Sequence, residues 1–457
     1  MASSSPSLTT LEQCFISPPK SSVPETSIPL LFTDIFFLGG GVVERLFFYK
    51  FPHPTTHFIS DHLPTFKSSL SLTLQHFFPF AGHARQSPSS PDVYELYYTD
   101  GDSVSLTISE STGDFQDLAG DNARDFSKLQ PLIPTLSHES EPLMALQVTL
   151  FPNQGLCFGI VVSKVVSDGT NSTNFIRSWA ATCLSGAGEV SFSSPPSFDR
   201  SNIGDPYNLY SIYLQTALYM KEMYKNAAAA AAAGAGDGAA KKEEFLATFR
   251  LKKEHLEKIK AAIMAGYPEG KAPFHLSTFV ISCAFMWASL VRSKGWPEEK
   301  MAYFGFPLDA RPRLSPPLPA GFFGGCLTFK STKAKVGDIV DEVTGVGAAA
   351  AAIGKAIDEI KDGVFKGAET MPQMLGEVVA NQGLWIAGST RFRVYDVDFG
   401  WGKPVKVEVT TIKGAETMAM AEDGEGGGGL EFGVSFPKDQ IDSFEVCFND
   451  ALKTLMA

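Results

Sequence analysis

Asp398-Phe399-Gly400-Trp401-Gly402 sets one carboxylate, two aromatic rings and two glycines within five residues. The carboxylate and the two glycines invite a catalytic reading, while glycine also permits close packing or a positive φ and a tryptophan in such a turn fills a core. Three further blocks lie upstream. Tyr303-Phe304-Gly305-Phe306-Pro307-Leu308-Asp309 continues through Arg311, Arg313, Pro316 and Pro317 to Phe323-Gly324-Gly325-Cys326. His275 precedes Leu276-Ser277-Thr278-Phe279, a stretch that reaches Trp287. Val162-Ser163-Lys164-Val165-Val166-Ser167-Asp168-Gly169 is followed by Phe175, Arg177, Trp179 and Ala180.

Between these blocks, short β-branched and aromatic runs at 94–98, 145–151 and 156–162 alternate with longer helix-like windows, which predicts a mixed α/β chain. A chain of 457 residues is too long for one ordinary core, so two large domains are expected. The Ser/Pro-rich stretch 193–207 sits near the middle. It predicts a first domain over 1–192, a crossover over 193–225 and a second domain over 226–457. A helix is expected over 209–225. The Ala/Gly tract 227–240 reads as a mobile loop, because Gly234, Gly236 and Gly238 interrupt the alanines. Gly424 to Gly429 reads as a hairpin tip, and it lacks the Lys and Ser/Thr of a phosphate loop.

Composition removes several classes of function. A net charge of −12 with no long Lys/Arg stripe argues against nucleic-acid binding. Six cysteines far apart, with no CxxC pair, suggest neither a zinc knuckle nor a disulfide framework, and free thiols point to a reducing, cytoplasmic setting. The first twenty residues lack the apolar stretch of a secretory signal. The most apolar window, 274–291, carries His275, Ser277, Thr278 and Ser282 and reads as a buried helix rather than a membrane span. His53, His57, His62, His76 and His83 lie close in sequence, but their spacing is not that of a metal site, and no metal is expected.

Taken together, the four blocks resemble the plant BAHD family of CoA-dependent acyltransferases. Asp398 to Gly402 matches that family's DFGWG motif letter for letter, and Val162 to Gly169 is similar to its His-His-x-x-x-Asp-Gly segment. The Tyr303 to Cys326 block is similar to the malonyltransferase-like clade, and Val43-Glu44-Arg45-Leu46-Phe47-Phe48-Tyr49 adds a smaller match. The resemblance covers nearly the whole chain. It implies two chloramphenicol-acetyltransferase-like α/β domains with mixed sheets and a channel at their interface. It further implies acyl-CoA, malonyl or aromatic, as co-substrate, no tightly bound cofactor, and a monomer acting on a small molecule such as a glycosylated phenolic, without nucleic-acid or membrane partners. Asp168 is implied to be structural, pairing with Arg311 or Arg313, and Asp398 to Gly402 to lie away from the reaction centre and support CoA binding.

One departure from the family pattern is decisive. Both histidine positions have changed, the first to Ser163 and the second to Lys164. In the family an imidazole takes the proton from the acceptor as it attacks the thioester, a step that suits a near-neutral pKa. A lysine amine ordinarily titrates near 10.4, roughly three pH units above neutrality, and closing that gap costs about 4 kcal/mol. Burial can supply this, whereas a nearby Asp168 carboxylate acts in the opposite sense.

Three readings of Lys164 therefore stand. It is a desolvated base in an acyltransferase. It is a cation or carbonyl-reactive amine in a repurposed lyase, cyclase or isomerase, with the anion-binding cation first in line for testing. Or it is inert in a catalytically inactive binding protein.

Around Lys164, the substrate-binding candidates are Ser163, Arg177, His275, Ser277 and Thr278. Arg177 resembles the basic residue thought to face a malonyl carboxylate in the clade, and a planar guanidinium suits that task. With Lys164 it would favour an acidic substrate. Phe322-Phe323-Gly324-Gly325-Cys326 stands where the clade has Tyr-Phe-Gly-Asn-Cys, which loses a phenol and an amide.

Overall fold

The computed structural model describes residues 7–136, 143–232 and 243–456. Two mixed sheets carry the chain. The first orders its strands Leu8–Ile16, Val104–Ser111, Met144–Phe151, Gly155–Ser163, Val42–Lys50 and Lys406–Val409. The second orders Leu327–Lys335, Met301–Asp309, Leu384–Gly388, Thr417–Glu422, Leu430–Pro437, Glu244–Leu251 and Arg124–Asp125. A small third sheet joins Thr26–Pro29, Tyr94–Tyr98 and His83–Gln86. Every residue of Met144–Phe151 is buried, because this strand is covered on both faces, which explains why its sequence is a nearly continuous apolar run.

The sheets trade strands across the chain's midpoint. Lys406–Val409 pairs antiparallel with Val42–Lys50 in the first sheet, and Arg124–Asp125 pairs with Glu244–Leu251 in the second. Charged side chains sit buried at this exchange. Arg124 Nη2 donates to Glu408 Oε1 at 2.6 Å, and Lys406 Nζ donates to Asp121 Oδ1 at 2.8 Å and Thr248 Oγ1 at 2.6 Å. Each charge has an opposite partner, which is the condition under which burial of ions is tolerated.

Glu416 to Ala421 and Leu430 to Phe436 are strands of one antiparallel pair, apart from a one-residue shift at the first, and 424–429 is their tip. The apolar window forms a helix, Thr278–Lys294, buried from Val280 to Val291, capped by the Ser277 side chain and ended by Gly295 at φ 58°. No helix among the described residues is long and apolar enough to cross a membrane.

One expectation is corrected. The helix expected over 209–225 runs to Ala232, so the first part of the Ala/Gly tract is helical; 233–242 lie outside the described residues. Alanine has the highest helix propensity, and the helix carries through the run that precedes Gly234. This helix lies against the Phe36–Gly39 turn. A Cβ on Gly39 would come within 2.3 Å of the Ala217 carbonyl oxygen, and Gly40 and Gly41 hold φ of 127° and 110°, so the glycine run is what allows the approach.

Candidate active site

Lys164 begins the turn that follows Gly155–Ser163, where its amide donates to the Gly41 carbonyl at 3.0 Å. Its aliphatic stem lies beside Gly41, and its Nζ stands 5.5 Å from the centre of the Phe37 ring. Phe37 in turn is 6.4 Å from Phe329, and Phe329 6.3 Å from Trp385, so an aromatic wall leads from Lys164 onto the second sheet. The amine therefore sits where the two halves meet.

The side chain is half-buried, and no hydrogen bond or ion pair holds Nζ among the described residues. Burial pushes its pKa below the ordinary lysine value.

Asp168, four residues on, is not its counter-ion. One carboxylate oxygen accepts the Thr170 and Asn171 amides at 3.1 Å each, capping the Gly169–Leu184 helix. The other accepts Arg311 Nη1 at 2.7 Å and the Cys326 amide at 3.2 Å. Arg311 also donates to the Gly324 carbonyl at 2.7 Å, and Asn171 Nδ2 reaches the same oxygen at 2.8 Å. Burial works against the Arg311 charge, but Asp168 and Asp309 beside it raise its pKa further above the usual range. Of the two arginines expected to pair with Asp168, Arg311 does so; Arg313 is exposed and donates to the Asp309 carbonyl. The adjacency of Lys164 and Asp168 in sequence suggested a carboxylate that keeps the amine charged. The fold gives that carboxylate to Arg311 instead.

A matching knot escaped the sequence reading. Asp34, fully buried, accepts the Gly325 amide at 2.6 Å and pairs with Arg200. Arg200 donates to the Phe323 carbonyl at 3.3 Å. Residues 323–326 are thus held between two buried aspartate–arginine pairs. The signal for Asp34 was a carboxylate inside the apolar run Leu30-Leu31-Phe32-Thr33-Asp34-Ile35-Phe36-Phe37.

Arg45 was also missed. It is 4% exposed, its Nη1 donates to Thr173 Oγ1 at 2.7 Å, and burial lowers its pKa to about 10. It lies 5.4 Å from the Phe392 ring centre, and that ring covers Gly169, where a Cβ would come within 2.7 Å of Cζ. Gly169→Ala is expected to lose up to about 2 kcal/mol in a urea unfolding experiment. Overpacking costs about 1–3 kcal/mol, against the roughly 1 kcal/mol that alanine gains over glycine in a helix.

The remaining candidates are spread out. Ser163, half-buried, closes its strand, with its amide on the Leu143 carbonyl at 2.8 Å. Arg177 lies on the half-exposed stripe of the Gly169–Leu184 helix with Thr170, Asn174 and Ala181. Ser277 Oγ accepts the Val280 amide at 3.3 Å as the helix cap. His275 and Thr278 beside it are exposed, and no hydrogen bond joins either to Lys164 among the described residues. No group of three or more His, Cys, Asp or Glu side chains is arranged to hold a metal among the described residues.

Asp398 Oδ1 accepts the Gly400 and Gly402 amides at 2.8 and 3.0 Å, and both glycines have positive φ. Trp401 meets Tyr49, Phe58 and Phe66 at 5.3–5.4 Å between ring centres, and Tyr49 Oη donates to the Val397 carbonyl at 3.1 Å. Tyr49 is seven residues along its strand from Val42, which pairs with Ser163, so roughly 20 Å separate this turn from Lys164. The turn docks the returning chain into the first core.

Two mixed sheets that exchange strands, with a lysine turn and an aspartate–arginine knot at their junction, define a two-domain α/β fold. A family model described as the Transferase family matches residues 7–451. The chain is 32% identical over 474 residues to malonyl-coenzyme A:anthocyanin 3-O-glucoside-6''-O-malonyltransferase of Dahlia pinnata, covering 99% of each. It is 34% identical over 436 residues to phenolic glucoside malonyltransferase 2 of Arabidopsis thaliana, covering 93% of this chain and 94% of the relative. In fold it matches the crystal structure of vinorine synthase with a TM-score of 0.70 at 18% identity, over 97% and 98% of the two chains. The chain belongs to the BAHD acyltransferase family.

Proposed function

We propose that this protein transfers a malonyl or aromatic acyl group from acyl-CoA to a hydroxyl of a phenolic glycoside, with Lys164 as the proton acceptor in place of the family's histidine. The observation that carries the reading is the state of Lys164. Its Nζ has no carboxylate partner among the described residues, Asp168 being engaged by Arg311, and burial lowers its pKa. A neutral amine is what the deprotonation step needs, since an ammonium has no lone pair to accept a proton. The same unpartnered Nζ would also suit an anion-binding cation, and it is the deprotonation step of the family's reaction that favours the base. The names of the relatives supply the substrate class: malonyl-CoA with anthocyanin or phenolic glucosides. No resident cofactor is needed for this chemistry. We take the protein to work as a cytosolic monomer, in keeping with its free cysteines.

The test is direct. The purified chain is incubated with malonyl-CoA or coumaroyl-CoA and a panel of phenolic glucosides, and both free CoA and acylated glucoside are quantified. Matching yields of the two products are expected for at least one pair. Absence of CoA release with every pair contradicts the reading.

Within it, Arg177 is assigned to the malonyl carboxylate. A hydrogen bond to a charged group contributes about 1.5–3 kcal/mol, so Arg177→Ala is expected to raise KM for malonyl-CoA about tenfold or more and leave KM for acetyl-CoA unchanged. Equal changes for both donors would remove Arg177 from that role.

A further inference from the structure

We infer that Lys164 is itself an acyl acceptor: with acyl-CoA bound and no alcohol beside it, its amine takes the acyl group and the chain becomes N-acylated at that one lysine. The inference rests on the acyl-CoA reading above and goes beyond it, because it turns the same amine from base into nucleophile.

Lys406, fully buried at the strand exchange, gives the contrast. Lys406 Nζ lies 2.8 Å from Asp121 and 3.6 Å from Glu408, which occupy it as ion-pair partners. Lys164 Nζ is held by no such partner among the described residues; it stands 5.5 Å from the centre of the Phe37 ring, and its stem runs beside Gly41. Burial lowers its pKa, which increases the fraction that carries a free lone pair.

The chemistry balances without a further reagent. The Nζ lone pair attacks the thioester carbonyl carbon and a C–N bond forms. The tetrahedral intermediate collapses with cleavage of the C–S bond, CoA leaves as thiolate, and the proton lost from nitrogen ends on that thiolate. The products are CoA thiol and a secondary amide. A histidine in this position would give an acylimidazole, which water opens. The lysine amide persists, and its nitrogen is no longer basic, so the site is silenced by its own donor whenever acceptor is lacking.

The full chain is incubated with malonyl-CoA, and separately with coumaroyl-CoA, without acceptor. Intact mass, peptide mapping and released thiol are then measured, and acceptor is added last. The expected result is one acyl group per chain on the peptide containing Lys164, one equivalent of CoA thiol, and loss of transfer when acceptor follows. Lys164→Arg and Lys164→His should carry no lasting adduct at that position. An unmodified Lys164 in a sample that still transfers to acceptor overturns self-acylation and leaves the acyltransferase reading standing. Neither adduct nor transfer with either donor overturns both.

Discussion

Lys164→Ala is expected to lower kcat for acyl transfer by about 10²–10⁴-fold with little change in KM for the donor, since a positioned general base contributes about that factor. The split between kcat and KM matters. A lysine that merely bound an anionic substrate would raise KM when removed, whereas one that accepts a proton acts in the transition state. Nζ of this half-buried side chain makes no hydrogen bond or ion pair among the described residues, so its truncation should leave the fold intact. Steady-state kinetics on the variant, with circular dichroism as a check on folding, measures this. A rise in KM at constant kcat would move Lys164 to the anion-binding role.

Asp168→Ala carries the second large effect, and it acts on stability. Removing one partner of a buried ion pair strands the other, at a cost of about 3–5 kcal/mol, and loss of a helix cap adds about 1 kcal/mol. Arg311 is 3% exposed and its Nε already lacks a partner among the described residues, so it has little chance of rehydration. Against a typical total of about 5–15 kcal/mol this is a large fraction, and the urea midpoint should fall accordingly. Asp168→Asn isolates the charge, because an amide oxygen can still accept the Thr170 and Asn171 amides. It should lie between wild type and Asp168→Ala. An Asp168→Ala protein as stable as wild type, but inactive, would make the carboxylate catalytic rather than structural.

These two residues also mark how far the sequence could be read. The blocks around Asp168, Arg311 and Asp398 were legible through their resemblance to the family, which also implied that Asp168 pairs with one of two arginines. What pairing does to Lys164 was not legible. Sequence adjacency set Asp168 beside the lysine, and only the fold shows the carboxylate turned to Arg311 and the Cys326 amide. Asp34 with Arg200, and Arg124 with Glu408, were invisible for the same reason: their partners lie 166 and 284 residues away. Lys406-Val407-Glu408-Val409 is largely buried although it carries two charges, because the exchange of strands surrounds them with opposite ones. The alanine run was misjudged by giving its later glycines precedence over the propensity of the residues before them.

The measurement that bears most directly on the account is the pH dependence of kcat/KM for wild type and Lys164→His. The base must be neutral to act, so activity rises with pH through the pKa of residue 164 and is lost below it. The account predicts that the acid limb of wild type is set by the lysine amine, below its ordinary value, and moves down toward the imidazole range, roughly pH 6.5, in the histidine variant. Superimposable acid limbs in the two proteins would show that the proton goes to another group and would contradict the role given to Lys164.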